Sequence, residues 1–114
     1  MGLEVWHGSD LIAVFGPDHS GPPPFPIEDF GSSYTAGGEN AAIVPVLQHY
    51  YFSFIKHLDP NLERFEGSPQ WENWDTASGQ RLKIQTNDTV MEEVPSGQVE
   101  RCQMWRELNH VIRE

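Results

Sequence analysis

Val5-Trp6-His7-Gly8-Ser9-Asp10-Leu11 is the stretch of this chain that decides its fold class. The glycine allows a tight turn directly behind the imidazole of His7. Ser9 or Asp10 can accept a hydrogen bond from the first free N–H groups of a following helical turn. The pattern predicts a histidine loop over residues 5–16, with a short helix that Gly16 closes. A single histidine in a loop is also consistent with a solvated or structural residue.

Length and composition limit the classes of protein to which the chain can belong. Its 114 residues suit one small domain, but 38% apolar content with nine prolines and ten glycines supports a lean core. The formal charge of −10, from 7 basic and 17 acidic residues, argues against nucleic acids and anionic membranes as partners. Both of those partners require clustered lysine and arginine. We expect no membrane-spanning segment, and the first residues lack the pattern of a signal peptide.

Two features bear on the cellular compartment. Cys102 is the single cysteine, so it has no partner for an internal disulfide, and we interpret it as a small buried apolar side chain. Asn87-Asp88-Thr89 fits the glycosylation acceptor pattern, which matters if the protein is secreted. The compartment itself stays unknown from these residues.

The strongest periodicity predicts a helix over residues 40–58. Apolar residues recur at steps of three and four and form one stripe. Pro45 is tolerated only in a first turn, so we expect the regular helix to start near Val44 or to bend there. Asp59-Pro60-Asn61 stops the helix. The aromatic bulk implies packing against a larger body, and an aromatic binding groove is the competing interpretation. The stripe consists of Val44, Leu47, Tyr51, Phe54 and Leu58, while Gln48, His49, Ser53, Lys56 and His57 lie elsewhere on the helix surface.

A second helix is predicted over residues 98–112, with Ser96 as a possible N-cap. Its expected buried face contains Cys102, Trp105, Leu108 and Ile112.

The remaining segments are predicted as loops and short strands. Proline and glycine make residues 17–39 irregular. Residues 59–80 form a second loop with Trp71 and Trp74 as its large apolar anchors, more in keeping with a hydrophobic clamp than with a ligand platform. Residues 81–86 alternate polar and apolar, as in a half-buried strand, and residues 90–94 form a further extended piece.

Among the other histidines, His19 is interpreted as solvated and His110 as exposed. His49 and His57 lie roughly 80° apart on the helix surface, which does not favour a shared metal ion.

Five blocks of the sequence resemble the type-B carboxylesterase and lipase family, which includes cholinesterases and fungal lipases. The segment from Trp6 to Leu11, followed by Val14-Phe15-Gly16, is similar to the histidine segment of that family. The other blocks follow in the order of the family and cover nearly the whole chain. They are Tyr50 to Asn61, Trp71-Glu72-Asn73-Trp74, Leu82-Lys83-Ile84 and Cys102-Gln103-Met104-Trp105.

The resemblance implies an α/β-hydrolase fold with a triad in the chain order serine, acidic residue, histidine. The nucleophile motif Gly-x-Ser-x-Gly does not occur in the 114 residues, and no residue matches the acidic position. We therefore expect a C-terminal fragment of an α/β-hydrolase, with two main helices, one or two short strands and long loops. Its implied partner is the missing N-terminal part of the domain, and some relatives pair the cysteine of this block with one in that part.

His7 is the position that matches the catalytic histidine of the family. A complete enzyme would hydrolyse small-molecule or lipid esters without a metal or an organic cofactor. Asp10 fits a role in capping the next helix better than one in holding the imidazole. The isolated chain is expected to be inactive. A non-catalytic cholinesterase-like remnant and a small acidic interaction module are the alternatives, and His7 favours the enzyme over the remnant.

Overall fold

The computed structural model describes residues 9–19, 32–75 and 79–112, and over these ranges it contains three helices and one two-stranded sheet. The helices are α1 (Ser9–Phe15), α2 (Ile43–His57) and α3 (Ser96–Ile112). The strands are β1 (Gln80–Lys83) and β2 (Val90–Glu93), and a 3-10 turn covers Ser32–Tyr34. Most of the predicted loop over residues 17–39 lies outside the described residues.

Helix α2 is shorter than the predicted helix over residues 40–58. Residues 40–42 form turns closed by bonds between residues three apart, such as Ile43 N–H to the Asn40 carbonyl at 3.2 Å. Pro45 occupies the first helical turn, where its missing N–H costs nothing. Leu58 adopts the left-handed conformation, with φ 57°, and donates its N–H to the Phe54 carbonyl at 2.7 Å, which ends the helix.

In the first half of the predicted α2 stripe, Val44 is buried and Leu47 is half-buried, whereas the second half is exposed. α1 packs on the first half, where Ile12 and Ala13 meet a face that includes Ile43 and Val44. A helix of seven residues is about 10 Å long, whereas α2, with fifteen residues, is about 22 Å long. α1 therefore covers about half of the stripe. In the second half of the stripe, Tyr51, Phe54 and Leu58 are exposed.

The second half of α2 buries a neighbouring face against the loop after the helix. Tyr50 and Ser53 are fully buried there. The Ser53 hydroxyl donates to the Asp59 carbonyl at 2.7 Å and accepts the Glu63 N–H at 2.9 Å. Ser53, which the periodicity placed off the apolar stripe, is therefore a buried polar anchor.

β1 and β2 form an antiparallel hairpin in which Arg81 lies opposite Glu92. The Arg81 Nε and Nη2 atoms donate to one Glu92 carboxylate oxygen at 2.9 and 2.7 Å. The predicted strand over residues 81–86 ends at Lys83, because the Gln85 carbonyl accepts both the Asp88 N–H and the Thr89 hydroxyl and closes a turn.

α3 differs from its prediction in both its start and its burial. It begins at Ser96, because the Pro95 carbonyl accepts the Val99 N–H at 3.2 Å, so Ser96 lies inside the helix. The prediction of a buried face is wrong for Cys102, Trp105 and Leu108, which are exposed. The side chain of Ile112 lies outside the described residues.

The exposed face of α3 has a physical reason. Packing between elements is concentrated in the α1–α2 pair and the β1–β2 hairpin. An amphipathic helix buries its apolar side where another element covers it, and periodicity cannot report whether that element is present. The Cα radius of gyration is 16.9 Å, against about 13 Å for a compact domain of this length. The fold is accordingly an open arrangement.

Candidate active site

The candidate catalytic residue His7 lies outside the described residues, and α1 follows it closely in the chain. α1 begins at Ser9, so the predicted cap residues are its first two residues. Asp10 is exposed in the first turn. A carboxylate at that position interacts favourably with the positive end of the helix dipole. This placement gives Asp10 a role in stabilising the helix start.

Two contacts at the C-terminal end of α1 position it on α2. The Gly16 N–H donates to the Ile12 carbonyl at 2.9 Å, and Gly16 has φ 86°. A Cβ atom at Gly16 would lie 3.2 Å from the Gln48 Nε2 atom, so the Gln48 side chain reaches the end of α1 here. Glycine suits this position because it adopts the left-handed backbone without strain and leaves room for the Gln48 side chain.

A small open cavity of about 300 Å³ lies beside α1. Asp10 of α1, Leu47 of α2 and Ile84 after β1 line it from three parts of the chain. Its volume is at the lower end of the range of about 300–1,000 Å³ that ligand pockets occupy. The cavity therefore marks the place where α1, α2 and the turn of the hairpin come together.

Asn40 links the segments around this cavity. Its Oδ1 atom accepts the Thr86 hydroxyl at 2.9 Å, and its backbone N–H donates to the Ser33 carbonyl at 2.7 Å. The residue therefore joins the hairpin turn to the 3-10 turn. Sequence reasoning missed this role, because the bond to Thr86 spans 46 positions and leaves no local signal.

A second feature is an aromatic groove of about 410 Å³ on the exposed half of α2. We use the name aromatic groove for the surface formed by Tyr51, Phe54, Leu58, Trp71 and Trp74. The structure thus brings both tryptophans of the predicted loop next to the exposed part of the helix stripe. The competing interpretation of the stripe, an aromatic groove, has a structural counterpart here.

Trp71 is held rigidly at the edge of this groove. The Asn61 Oδ1 atom accepts the backbone N–H of Trp71 at 2.6 Å, and the Asn61 Nδ2 atom donates to the Trp71 backbone carbonyl at 3.0 Å. The indole also packs edge-on against the Tyr50 ring, with centroids 5.6 Å apart. The phenol of Tyr50 donates to the Pro69 carbonyl. Burial raises the pKa of Tyr50, although a hydrogen bond with Ser68 and the charge of Arg64 partly offset that rise.

Two histidines of α2 hold the following loop through Glu63. The Glu63 carboxylate accepts from the Lys56 ammonium at 2.8 Å and from the His57 Nε2 atom at 2.7 Å. The hydrogen bond from His57 and then that from Lys56 lower the pKa of Glu63 to about 2. His49 contacts the same residue at its backbone, with Nδ1 donating to the Glu63 carbonyl at 2.7 Å.

Other possible site chemistry can be assessed over the described ranges. Within them, no group of three His, Cys, Asp or Glu side chains is arranged to hold a metal ion. Of the described helices, none combines the length and the apolar character needed to cross a membrane. His19 is exposed in a turn, and the side chain of His110 lies outside the described residues. Ser53 is buried with its hydroxyl engaged in two bonds, so it is a structural residue.

The chain resembles fungal lipases and carboxylesterases over most of its length, which confirms the family that its sequence blocks indicate. No protein-family model matches it. The three helices and the hairpin are consistent with a fragment of the predicted α/β-hydrolase fold.

Two particular proteins carry this similarity. Secreted lipase 4 of Gibberella zeae is 33% identical over 88 residues, which cover 72% of this chain and 16% of the lipase. The crystal structure of Aspergillus niger EstA matches with a TM-score of 0.71 at 41% identity, over 87% of this chain and 17% of EstA. The chain therefore spans about a sixth of the length of either relative.

Proposed function

We propose that this chain is the histidine-bearing C-terminal segment of a carboxylic ester hydrolase of the lipase type. The observation that carries the proposal is the match to EstA, which combines 41% identity with a similar fold over 87% of this chain. His7 is the proposed catalytic base. It precedes α1 in the sequence, and α1 packs on α2.

The proposed reaction is acyl transfer through a serine of the complete enzyme. His7 takes the hydroxyl proton as the serine oxygen attacks the ester carbonyl, and the tetrahedral intermediate then expels the alcohol, which receives that proton. Water repeats the cycle: His7 takes its proton, the hydroxide attacks the acyl-enzyme, and the serine oxygen leaves and is reprotonated. The near-neutral pKa that is usual for an imidazole suits both directions of transfer. This chemistry requires neither a metal nor an organic cofactor.

The proposal includes a partner and a location. The partner is the N-terminal part of a hydrolase domain, which would supply the nucleophile, the acidic residue and the oxyanion hole. The substrate is a small-molecule or lipid ester. An extracellular location is supported by the name of the secreted relative and by Asn87, which is exposed in the turn between β1 and β2. The proposal includes neither a nucleic-acid partner nor an integral membrane segment.

The isolated chain is expected to show no ester hydrolysis above background. An imidazole without an activated serine and an oxyanion hole recovers little of the rate, because the groups of a triad act as a unit. The test compares hydrolysis of a short-chain nitrophenyl ester by two proteins. One is the 114-residue chain, and the other is a hybrid lipase in which residues 5–112 replace the matching segment of Secreted lipase 4. We expect turnover by the hybrid lipase and none by the 114-residue chain. Serine-dependent turnover by the 114-residue chain would contradict the proposal.

The second candidate is a non-catalytic segment that takes part in protein association. The exposed aromatic groove favours it, because contiguous exposed apolar surface commonly marks an interaction site. The hybrid lipase distinguishes the two candidates. A hybrid that folds but has no turnover, beside an active parent lipase, would favour the non-catalytic segment.

A further inference from the structure

The exposed half of the α2 stripe continues an interface that already exists in the chain. At 100° per residue, Tyr51, Phe54 and Leu58 lie on the same side of α2 as Val44 and Leu47, where α1 packs. The covered and uncovered halves thus form one apolar strip along the helix. α1 is too short to reach the second half, so the interface stops at about the middle of α2.

The uncovered half is also a prearranged surface. Asn61 fixes the backbone of Trp71 from both sides, and Ser53 fixes the loop beneath it. Rigid aromatic side chains lose little conformational entropy on association, so a surface of this kind binds better than a mobile one. These hydrogen bonds therefore fix the loop that carries Trp71 at the edge of the aromatic groove.

The net charge argues against a second copy of the chain as that partner. Each copy carries a formal charge of −10, and Glu72 lines the groove. Association of two such copies would bring like charges together, which is unfavourable. The match covers about a sixth of each of the two relatives, so the matched fragment belongs to a much larger body in each of them.

We propose that the aromatic groove is the docking surface through which this segment packs on the apolar body of a lipase-like domain. The inference rests on the proposed function, since it specifies the surface by which the histidine-bearing segment joins its partner. The partner is expected to present an apolar surface that extends the contact made by α1.

The test compares two variants of the same helix. Phe54 lines the groove and Phe52 does not, yet both are 51% exposed. Glutamine is a good helix former at both positions. In the hybrid lipase, we expect Phe54→Gln to lower the melting temperature by several degrees and Phe52→Gln to leave it nearly unchanged. In the isolated 114-residue chain, both variants should leave thermal unfolding unchanged, and Phe54→Gln should reduce the binding of a hydrophobic dye more than Phe52→Gln.

Several results would overturn the inference. The first is an unchanged melting temperature for Phe54→Gln in the hybrid lipase, and the second is an equal drop for both variants. The third is self-association of the isolated chain, measured by sedimentation, that Phe54→Gln abolishes, since a second copy would then be the partner. A hybrid lipase that fails to fold beside a folded parent would also count against docking.

The two proposals can fail independently. If Phe54→Gln lowers the melting temperature while the hybrid lipase has no turnover, the docking surface stands and the role of His7 fails. If turnover is normal and the melting temperature of Phe54→Gln is unchanged, the role of His7 stands and the docking surface fails.

Discussion

At the scale of single residues, the buried Ser53 hydroxyl ties helix α2 to the loop that follows it. Ser53 stands within the run Tyr50-Tyr51-Phe52-Ser53-Phe54 and bonds two backbone groups of the next loop. A lone hydroxyl among aromatic residues is a signal that sequence reasoning could have used. Burying a hydroxyl is costly unless it is hydrogen-bonded, so such a residue points to a specific partner.

Ser53→Ala is expected to release the loop from α2. The Glu63 N–H and the Asp59 carbonyl would each lose a bond to the hydroxyl, and a typical hydrogen bond contributes about 1 kcal/mol. Amide hydrogen exchange at Glu63 should accelerate by about fivefold or more, since that is the factor that about 1 kcal/mol represents. Exchange in α3 should stay the same. An unchanged rate at Glu63 would show that the hydroxyl does not hold the loop.

Glu63 is expected to make the attachment of the loop sensitive to acid. Its pKa is lowered from 4.5 to about 2, so the ionised carboxylate is favoured in the folded state. The resulting stabilisation is present above pH 4.5 and is lost as the pH falls toward 2. A carboxyl titration followed by NMR should give a midpoint near 2 for Glu63, and His57→Ala should raise it. Because the pair is exposed, added salt should also raise it. A midpoint near 4.5 would contradict this account.

At the scale of elements, the sequence predicts where the helices lie but not which of their faces are covered by other elements. The periodicity of α2 gave its location to within three residues and identified the stripe. How much of that stripe is buried depends on the length of α1, and α1 lies in a different part of the sequence from α2. The same limit applies to α3, where Trp105 is 61% exposed although the helical pattern predicted its burial.

Gly16→Ala is expected to loosen the attachment of α1 to α2. A non-glycine residue in the left-handed region costs roughly 1–2 kcal/mol, and Gly16 has φ 86° with the Gln48 amide close by. Amide exchange within α1, including the Gly16 N–H, should become faster. Gly37→Ala is the matched control, because Gly37 has φ 84° with open space around it. Slow exchange in α1 of the Gly16 variant, equal to that of the unmodified chain, would refute the proposed attachment.

At the scale of the whole molecule, the described residues leave two apolar surfaces uncovered, which distinguishes them from a compact domain. One is the aromatic groove, and the other is the exposed face of α3. The resemblance of five sequence blocks predicted the family, and the similarity to the two fungal proteins confirms it. The position of His7 relative to the other elements could not be predicted from the sequence, because the groups expected to orient its imidazole match no residue of this chain.

The proposed enzyme predicts a distinct role for one histidine among five. In the hybrid lipase, His7 should be essential for turnover, while the other four histidines should be dispensable. Two of those four, His49 and His57, contact Glu63 on the outside of α2 and so have structural roles. The variants that should retain most of the activity are His19→Ala, His49→Ala, His57→Ala and His110→Ala.

The most direct test of the central claim is the turnover number of the His7→Ala hybrid lipase with a short-chain nitrophenyl ester. Removal of a triad histidine abolishes proton transfer in both halves of the reaction, so kcat should fall by several orders of magnitude. KM should change much less, because the imidazole contributes little to substrate binding. Near-normal kcat in the folded His7→Ala hybrid would contradict the assignment of His7 as the catalytic base.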